Sequence, residues 1–513
     1  MPARLPDPPD WVADAVFYQI FPDRFARSGR VPAPGPLEDW DAPPTVHGFK
    51  GGDLYGIVDH LDHLTDLGVT ALYLNPIFAS ASNHRYHTYD YMSVDPLLGG
   101  DAALRELLDA AHRRGMRVIL DAVFNHASRG FWPFHHVMET GRHSPYRDWF
   151  HLNAEELEAG QRLRAYPDEP IGAPLPAEWA DAHGAGTASI ATLGYRAWWD
   201  LPALPKLNTD NPVVRGYLMG VAEHWTRFGV DGWRLDVPRE IETPGFWAEF
   251  RERVRAVNAD AYVVAEVWQA RPDLLDGTTY DAFMNYPLAE AIISFVTGAH
   301  LRPDVVAQHG ELGRNIRPEN GASFLSRVSR TVSAYPPRTA RAMLNLVDSH
   351  DTPRFLAMAG GDSASLRLAW LAMLTLPGAP CIYYGDEVGV SGEMDPGCRA
   401  SFPWERERWD EDLLAFLKAL VRLRLEESAL RSADFEPIAS DGMAAAYGRG
   451  GGPGFLVVAL NAGESSCDLR LPTTAGSLVP IAIGQEEGAG VEVRDGAAII
   501  AIPPRSGRVL RVA

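Results

Sequence analysis

Three acidic residues close three separate apolar runs: Asp236 in GVDGWRLDV, Glu266 in AYVVAEVW and Asp351 in AMLNLVDSHD. In a parallel barrel, carboxylates at the C-terminal ends of strands converge on one mouth, which is the equipment needed to break a glycosidic bond. A single Asp at a strand end is more often a helix cap than a catalyst. Three of them, each beside polar and aromatic neighbours, shift that balance. Arg234 lies two residues before Asp236, so on a strand both side chains point to one face. A guanidinium there holds a carboxylate ionised and oriented, as a nucleophile at an anomeric carbon requires. Glu266, close to two other acids, is expected to keep its proton near neutral pH and serve as general acid. Asp351, which follows His350, can bind sugar hydroxyls and stabilise positive charge developing on the ring.

The elements that must position these groups are legible as alternating strand and helix patterns. Eight near-continuous apolar runs, at 15–21, 69–75, 117–124, 230–237, 262–268, 280–286, 340–348 and 380–385, read as parallel strands covered on both faces. Between them, Asp210-Asn211-Pro212 opens a helix that Gly229 closes, Asp101 is read as the cap of a second, and a third is expected over 53–67. The pattern predicts a (β/α)8 TIM barrel formed by residues 1–125 and 205–430. The connection after the third strand is far longer than a βα loop and is assigned to an inserted subdomain over 126–204. From 433 to 513, short alternating runs separated by glycine-rich turns predict a C-terminal antiparallel β-sandwich domain.

Composition narrows the partners. Lysine and arginine total 47 against 67 aspartates and glutamates, a formal charge of −20, so nucleic acid and anionic membrane are not expected partners while a neutral ligand is unaffected. The N-terminus lacks the apolar stretch of a secretory signal, and no run is long enough to span a bilayer. Cys381, Cys398 and Cys467 show no pairing pattern and read as free thiols, which places the expected location in the cytoplasm. Oligomeric state is left open.

The segments DAVFNH (121–126), GWRLDVPRE (232–240), EVW (266–268) and LVDSHD (346–351) resemble the four ordered signatures of the α-amylase superfamily, glycoside hydrolase family 13. LPKLN (204–208) is similar to the additional signature of its neopullulanase, cyclomaltodextrinase and maltogenic amylase branch. The resemblance implies that Asp236 is the nucleophile, Glu266 the acid/base and Asp351 the transition-state-stabilising carboxylate of a retaining double displacement. It further implies that Tyr86, His126, Arg234 and His350 bind the sugar at the cleavage subsite, with Asp121 and Asn125 as supports. Taken alone, either histidine reads as an ordinary hydrogen-bonded rim residue. The implied substrates are oligosaccharides: cyclomaltodextrins, maltooligosaccharides and, as a further candidate, pullulan, with transglycosylation as a side activity. An α-glucosidase, or a glucan transferase or isomerase of the same superfamily, is the alternative, and a non-catalytic amylase-like binding protein the remote one.

Some features depart from that branch. The first strand begins near residue 15, so the branch's usual N-terminal β-domain is expected to be absent and its dimer is not carried over. His87 stands where an aspartate is more common beside the tyrosine. Some relatives bind calcium in the loop after the first strand, but ARSGRVPAPG (26–35) offers no carboxylate or amide, so no cofactor or metal is expected.

Overall fold

In a computed structural model, residues 7–167, 188–472, 477–483, 491–494 and 496–512 are described, so positions 168–187 of the expected insertion lie outside them. Eight short parallel strands form the centre: β1 (Phe17–Ile20), β2 (Ala71–Leu74), β3 (Arg117–Ala122), β4 (Gly232–Leu235), β5 (Tyr262–Ala265), β6 (Ala282–Phe283), β7 (Leu344–Asn345) and β8 (Ala379–Tyr383). Their order is β6-β5-β4-β3-β2-β1-β8-β7. A parallel bridge from Met284 to Leu344, with Asn285 N–H donating to the Leu344 carbonyl at 2.8 Å, joins β6 to β7 and closes the ring. This is the (β/α)8 barrel that the apolar runs predict. Each strand is covered on both faces, which is why its sequence does not alternate.

At the N-terminal rim the same device recurs. The residue just before β2, β4 and β6 accepts a hydrogen bond from a backbone N–H in or just before the preceding strand: Thr70 Oγ1 from Val16 at 2.9 Å, Asp231 Oδ2 from Val118 at 2.9 Å, and Asp281 Oδ2 from Val263 at 2.8 Å. These contacts fix strand register at the end away from the site.

Local signals act largely as the sequence suggests. Asn211 caps the helix Pro212–Phe228 through Val213 N–H, and Gly229 ends it at φ +115°. Asp53 caps the next turn through Gly56, but the helix expected over 53–67 is broken at His60 into Leu54–Asp59 and Leu61–Leu67. Asp101 is not a cap: helix Gly100–Arg113 already contains it, and its carboxylate accepts from Val94 N–H at 2.9 Å.

Two pieces stand over the C-terminal mouth. A hairpin, Phe78–Ser80 with Thr88–Val94, rises between β2 and β3 and carries Tyr86 in its turn. After β3 the chain runs through helix Trp132–Thr140 and short turns before returning, where the bridges His126 to Lys206 and Phe150 to Leu207 bind the returning LPKLN segment to the chain leaving β3.

The C-terminal strands are β9 (Glu436–Asp441), β10 (Ala444–Arg449), β11 (Leu456–Asn461), β12 (Cys467–Pro472), β13 (Ser477–Ile481), β14 (Val491–Arg494), β15 (Ala497–Ile502) and β16 (Ser506–Val512). They pair antiparallel in the order β9-β10-β11-β16-β13-β14-β15-β12, and the two end strands pack on each other over an inner layer that includes Ala446, Ala459, Leu469 and Ile500. Tyr447 Oη bonds to Thr375 Oγ1 at 2.6 Å and Arg505 pairs with Asp362 at 2.7 Å, tying this layer to the barrel helix Ser363–Thr375.

Asp231 tests the rim device. Burial raises its carboxyl, but bonds from His112, Arg117 and Val118 outweigh burial and hold it below its ordinary value. Its stabilisation is therefore present above about pH 4 and is lost as pH falls through the lowered folded value. Asp231→Asn is expected to cost roughly 1–3 kcal/mol in urea unfolding at pH 7 while leaving kcat unchanged, and the gap to the wild type should narrow below about pH 4.

Candidate active site

Arg234, on β4 and fully buried, organises the mouth of the barrel. Its Nη1 donates to Asp121 Oδ1 and to Asp236 Oδ1, each at 2.8 Å, and its Nη2 pairs with Glu266 Oε2 at 3.0 Å. One guanidinium thus holds carboxylates from β3 and from the ends of β4 and β5. The i, i+2 spacing of Arg234 and Asp236 does what strand geometry requires, and Glu266 follows the last residue of β5 directly.

Around this centre lies a hydrogen-bonded ring. Tyr73 and Tyr86 both donate to Asp121 Oδ2, at 3.0 and 2.8 Å. Tyr86 Oη also meets His350 Nε2 at 2.6 Å, and the two rings lie parallel with centroids 5.5 Å apart. Gln19 Nε2 donates to Asn75 Oδ1 at 3.1 Å and lies 2.8 Å from His350 Nδ1, which assigns the imidazole proton to Nε2. The same Nε2 lies 2.9 Å from Asp351 Oδ2. On its other side Asp351 meets Arg399 Nη2 at 3.2 Å, while Arg399 Nε donates to the His350 carbonyl at 2.9 Å.

The electrostatics separate the three candidate acids. Burial pushes the Asp236 carboxyl well up; Arg234 opposes the shift and the Glu266 charge adds to it. Burial likewise raises Glu266, again against Arg234 and with Asp351 adding. The expectation that Arg234 alone would keep Asp236 ionised is therefore incomplete. Asp121 also draws on the one guanidinium, and burial with the neighbouring charges pushes both Asp236 and Glu266 upward. Asp351 differs: burial raises it, but His350 and Arg399 prevail and hold it well below the usual carboxylate range.

Val237 gives the clearest backbone strain. It sits at φ +35°, a left-handed conformation unfavourable for a β-branched residue, and this turns its N–H onto Glu266 Oε2 at 3.0 Å. Asp236 Oδ2 is buried with no partner, an acceptor left available beside the clamp.

Six of the seven residues singled out in the sequence, Tyr86, Arg234, Asp236, Glu266, His350 and Asp351, belong to this connected network. His126 stands to one side. It stacks on Trp198 at 4.8 Å, its Nε2 is buried without a partner, and burial pulls its basicity down to about 3, so it is a neutral imidazole at physiological pH. Residues the sequence reading missed are Gln19, Tyr73, Asn75 and Arg399. Tyr73 and Asn75 are polar at i and i+2 in the apolar run of β2, a signal available in principle, whereas Arg399 comes from a loop with none.

The loop after β1 is tied by its own polar groups. The Lys50 ammonium donates to the carbonyls of Asp39 and Ala42, and the Asp53 carboxylate is spent on Ser28 and Gly56 N–H groups.

The family model for the α-amylase catalytic domain matches residues 19–424. The chain belongs to the α-amylase family. A cyclomaltodextrinase from a Bacillus species is 41% identical over 437 residues, covering 85% of this chain and 70% of that one. Among solved structures, Ttha1563 from Thermus thermophilus superposes with a TM-score of 0.88 at 45% identity, covering 98% of this chain and 100% of that one. A debranching enzyme from Nostoc punctiforme gives 0.82 at 42% identity, with 99% of each chain covered. The protein is an α-amylase-family glycoside hydrolase.

If the three carboxylates depend on one guanidinium, Arg234→Lys should keep the fold and lose roughly two orders of magnitude or more in kcat, because a lysine cannot reach three partners. Near-wild-type turnover of a folded variant would show that the clamp is not needed.

Proposed function

We propose that this α-amylase-family enzyme cleaves α-1,4-glucosidic bonds of cyclomaltodextrins and maltooligosaccharides with retention of configuration. The supporting observation is the shared guanidinium, which holds Asp236 and Glu266 on one cation at the ends of neighbouring strands. Asp236 Oδ2 attacks the anomeric carbon while protonated Glu266 delivers its proton to the departing glycosidic oxygen, leaving a glycosyl ester on Asp236 and a Glu266 carboxylate. Glu266 then takes a proton from water, whose oxygen displaces Asp236 and regenerates both groups. Asp351, held ionised by His350 and Arg399, stabilises the positive charge that develops on the ring in both steps. Tyr86, His126 and His350 line the sugar's place at the bond that breaks. The substrate reading is supported by the likeness to cyclomaltodextrinases. An acceptor sugar in place of water would give transglycosylation.

A second reading, cleavage at α-1,6 branches, is favoured by the end-to-end likeness to the Nostoc debranching enzyme. We assign no metal to either step, because Lys50 already serves the β1 loop. Among the described residues no helix is long and apolar enough to cross a membrane. A cytoplasmic location is supported by the 37% identity to an intracellular maltogenic amylase of Bacillus subtilis.

Proton NMR of β-cyclomaltodextrin digestion should show the α-anomer as the first new reducing end, and Asp236→Asn should lower kcat by several orders of magnitude with the thermal midpoint preserved. A β-anomer first, or an active Asp236→Asn, would overturn the nucleophile assignment. On pullulan, panose reports α-1,4 cleavage and maltotriose α-1,6 cleavage, which separates the two readings. Activity should be unchanged by a chelator; loss restored by calcium would contradict the metal assignment.

A further inference from the structure

The two oxygens of Glu266 have different partners. Oε2 accepts from Val237 N–H at 3.0 Å and faces Arg234 Nη2 at 3.0 Å, so it carries the negative charge whenever the group is ionised and is a poor place for a proton. A proton on Glu266 therefore resides on Oε1. The group facing Oε1 is the indole of Trp268, whose Nε1–H donates to it at 3.2 Å. An indole N–H can only donate, so it favours the ionised carboxylate over the protonated acid.

The indole is itself fixed. One face lies on the ring of Tyr286, with centroids 3.6 Å apart and planes 13° from parallel, and the other on His309, at 4.4 Å and 24°. Tyr286 is buried at the start of helix Tyr286–Val296. His309 is anchored in its turn, because its Nδ1 accepts from Leu312 N–H at 3.1 Å as the cap of helix Gly310–Asn315. A three-ring stack built from the ends of β5 and β6 and the loop beyond thus aims one N–H at one carboxyl oxygen.

We propose that Trp268 is a positioning residue that tunes how readily Glu266 gives up and regains its proton, and that His309 holds Trp268 in that role. The proposal rests on the reading of Glu266 as the acid/base. The other groups facing Glu266 are Arg234 and Asp236 from β4 and its end, His350 and Asp351 from the loop after β7, and the Tyr286 hydroxyl. His309 stacks on the indole. Trp268→Phe removes the N–H and keeps an aromatic ring in the stack. It should raise the proton affinity of Glu266, because the ionised form loses a donor.

The test is the pH dependence of kcat/KM on β-cyclomaltodextrin, whose alkaline limb reports loss of the acid's proton in the free enzyme. Trp268→Phe should move that limb upward by roughly one pH unit. His309→Leu should move it in the same direction by less, and His309→Phe, which restores an aromatic face, should return it toward the wild-type position. An alkaline limb that stays in place in Trp268→Phe, with kcat/KM lowered equally at every pH, would overturn the proposal and reduce Trp268 to a sugar-binding ring. Glu266→Gln separates the two levels. If it abolishes activity while Trp268→Phe leaves the limb unmoved, only the proposal fails; if Glu266→Gln hydrolyses the substrate normally, the acid/base reading fails with it.

Discussion

The site depends on the meeting of three carboxylates on a single guanidinium. Arg234 has no access to solvent, and Asp121, Asp236 and Glu266 draw on it at 2.8, 2.8 and 3.0 Å. A buried charge without a partner is costly, and with one cation for three carboxylates burial pushes both Asp236 and Glu266 upward. Tyr73 and Tyr86 supply further hydrogen bonds to Asp121 in place of a second cation.

The ends of the barrel divide the labour. At the N-terminal rim, Thr70, Asp231 and Asp281 satisfy backbone donors and fix register. At the C-terminal mouth the same residue types are drawn into a network that leaves Asp236 Oδ2 and His126 Nε2 buried and unpaired. Polar atoms with no partner inside a protein cost stability, and they persist where a ligand can use them. Strain is found there as well, in Val237 at φ +35° next to Asp236.

Much of this was legible in the sequence, for physical reasons that also set the limit. Strands buried on both faces must be apolar throughout, so all eight runs stood out, and the parity of a strand alone puts Arg234 and Asp236 on one face. Helix ends were less secure. Asp101 looks like a cap because its side chain suits the role, yet the carboxylate turned to Val94 instead. The break at His60 has no sequence signal, and the hairpin that carries Tyr86 was hidden inside a βα connection. Arg399 and His309 reach the site from distant loops, and such approach depends on tertiary packing that spacing does not encode. The balance of burial against Arg234 at Asp236 was equally out of reach, because it requires knowing how deeply the group lies.

The central claim is that Asp236 becomes covalently bonded to the sugar while Glu266 manages the proton. Its most direct test is mass spectrometry of the enzyme after reaction with a fluorinated α-glucosyl fluoride, whose ring fluorine slows release of the intermediate. The expected result is one glycosyl adduct per chain, on the peptide containing Asp236, disappearing when an acceptor sugar is added. An adduct on Glu266 or Asp351, or steady turnover through a β-configured product with no adduct, would contradict it.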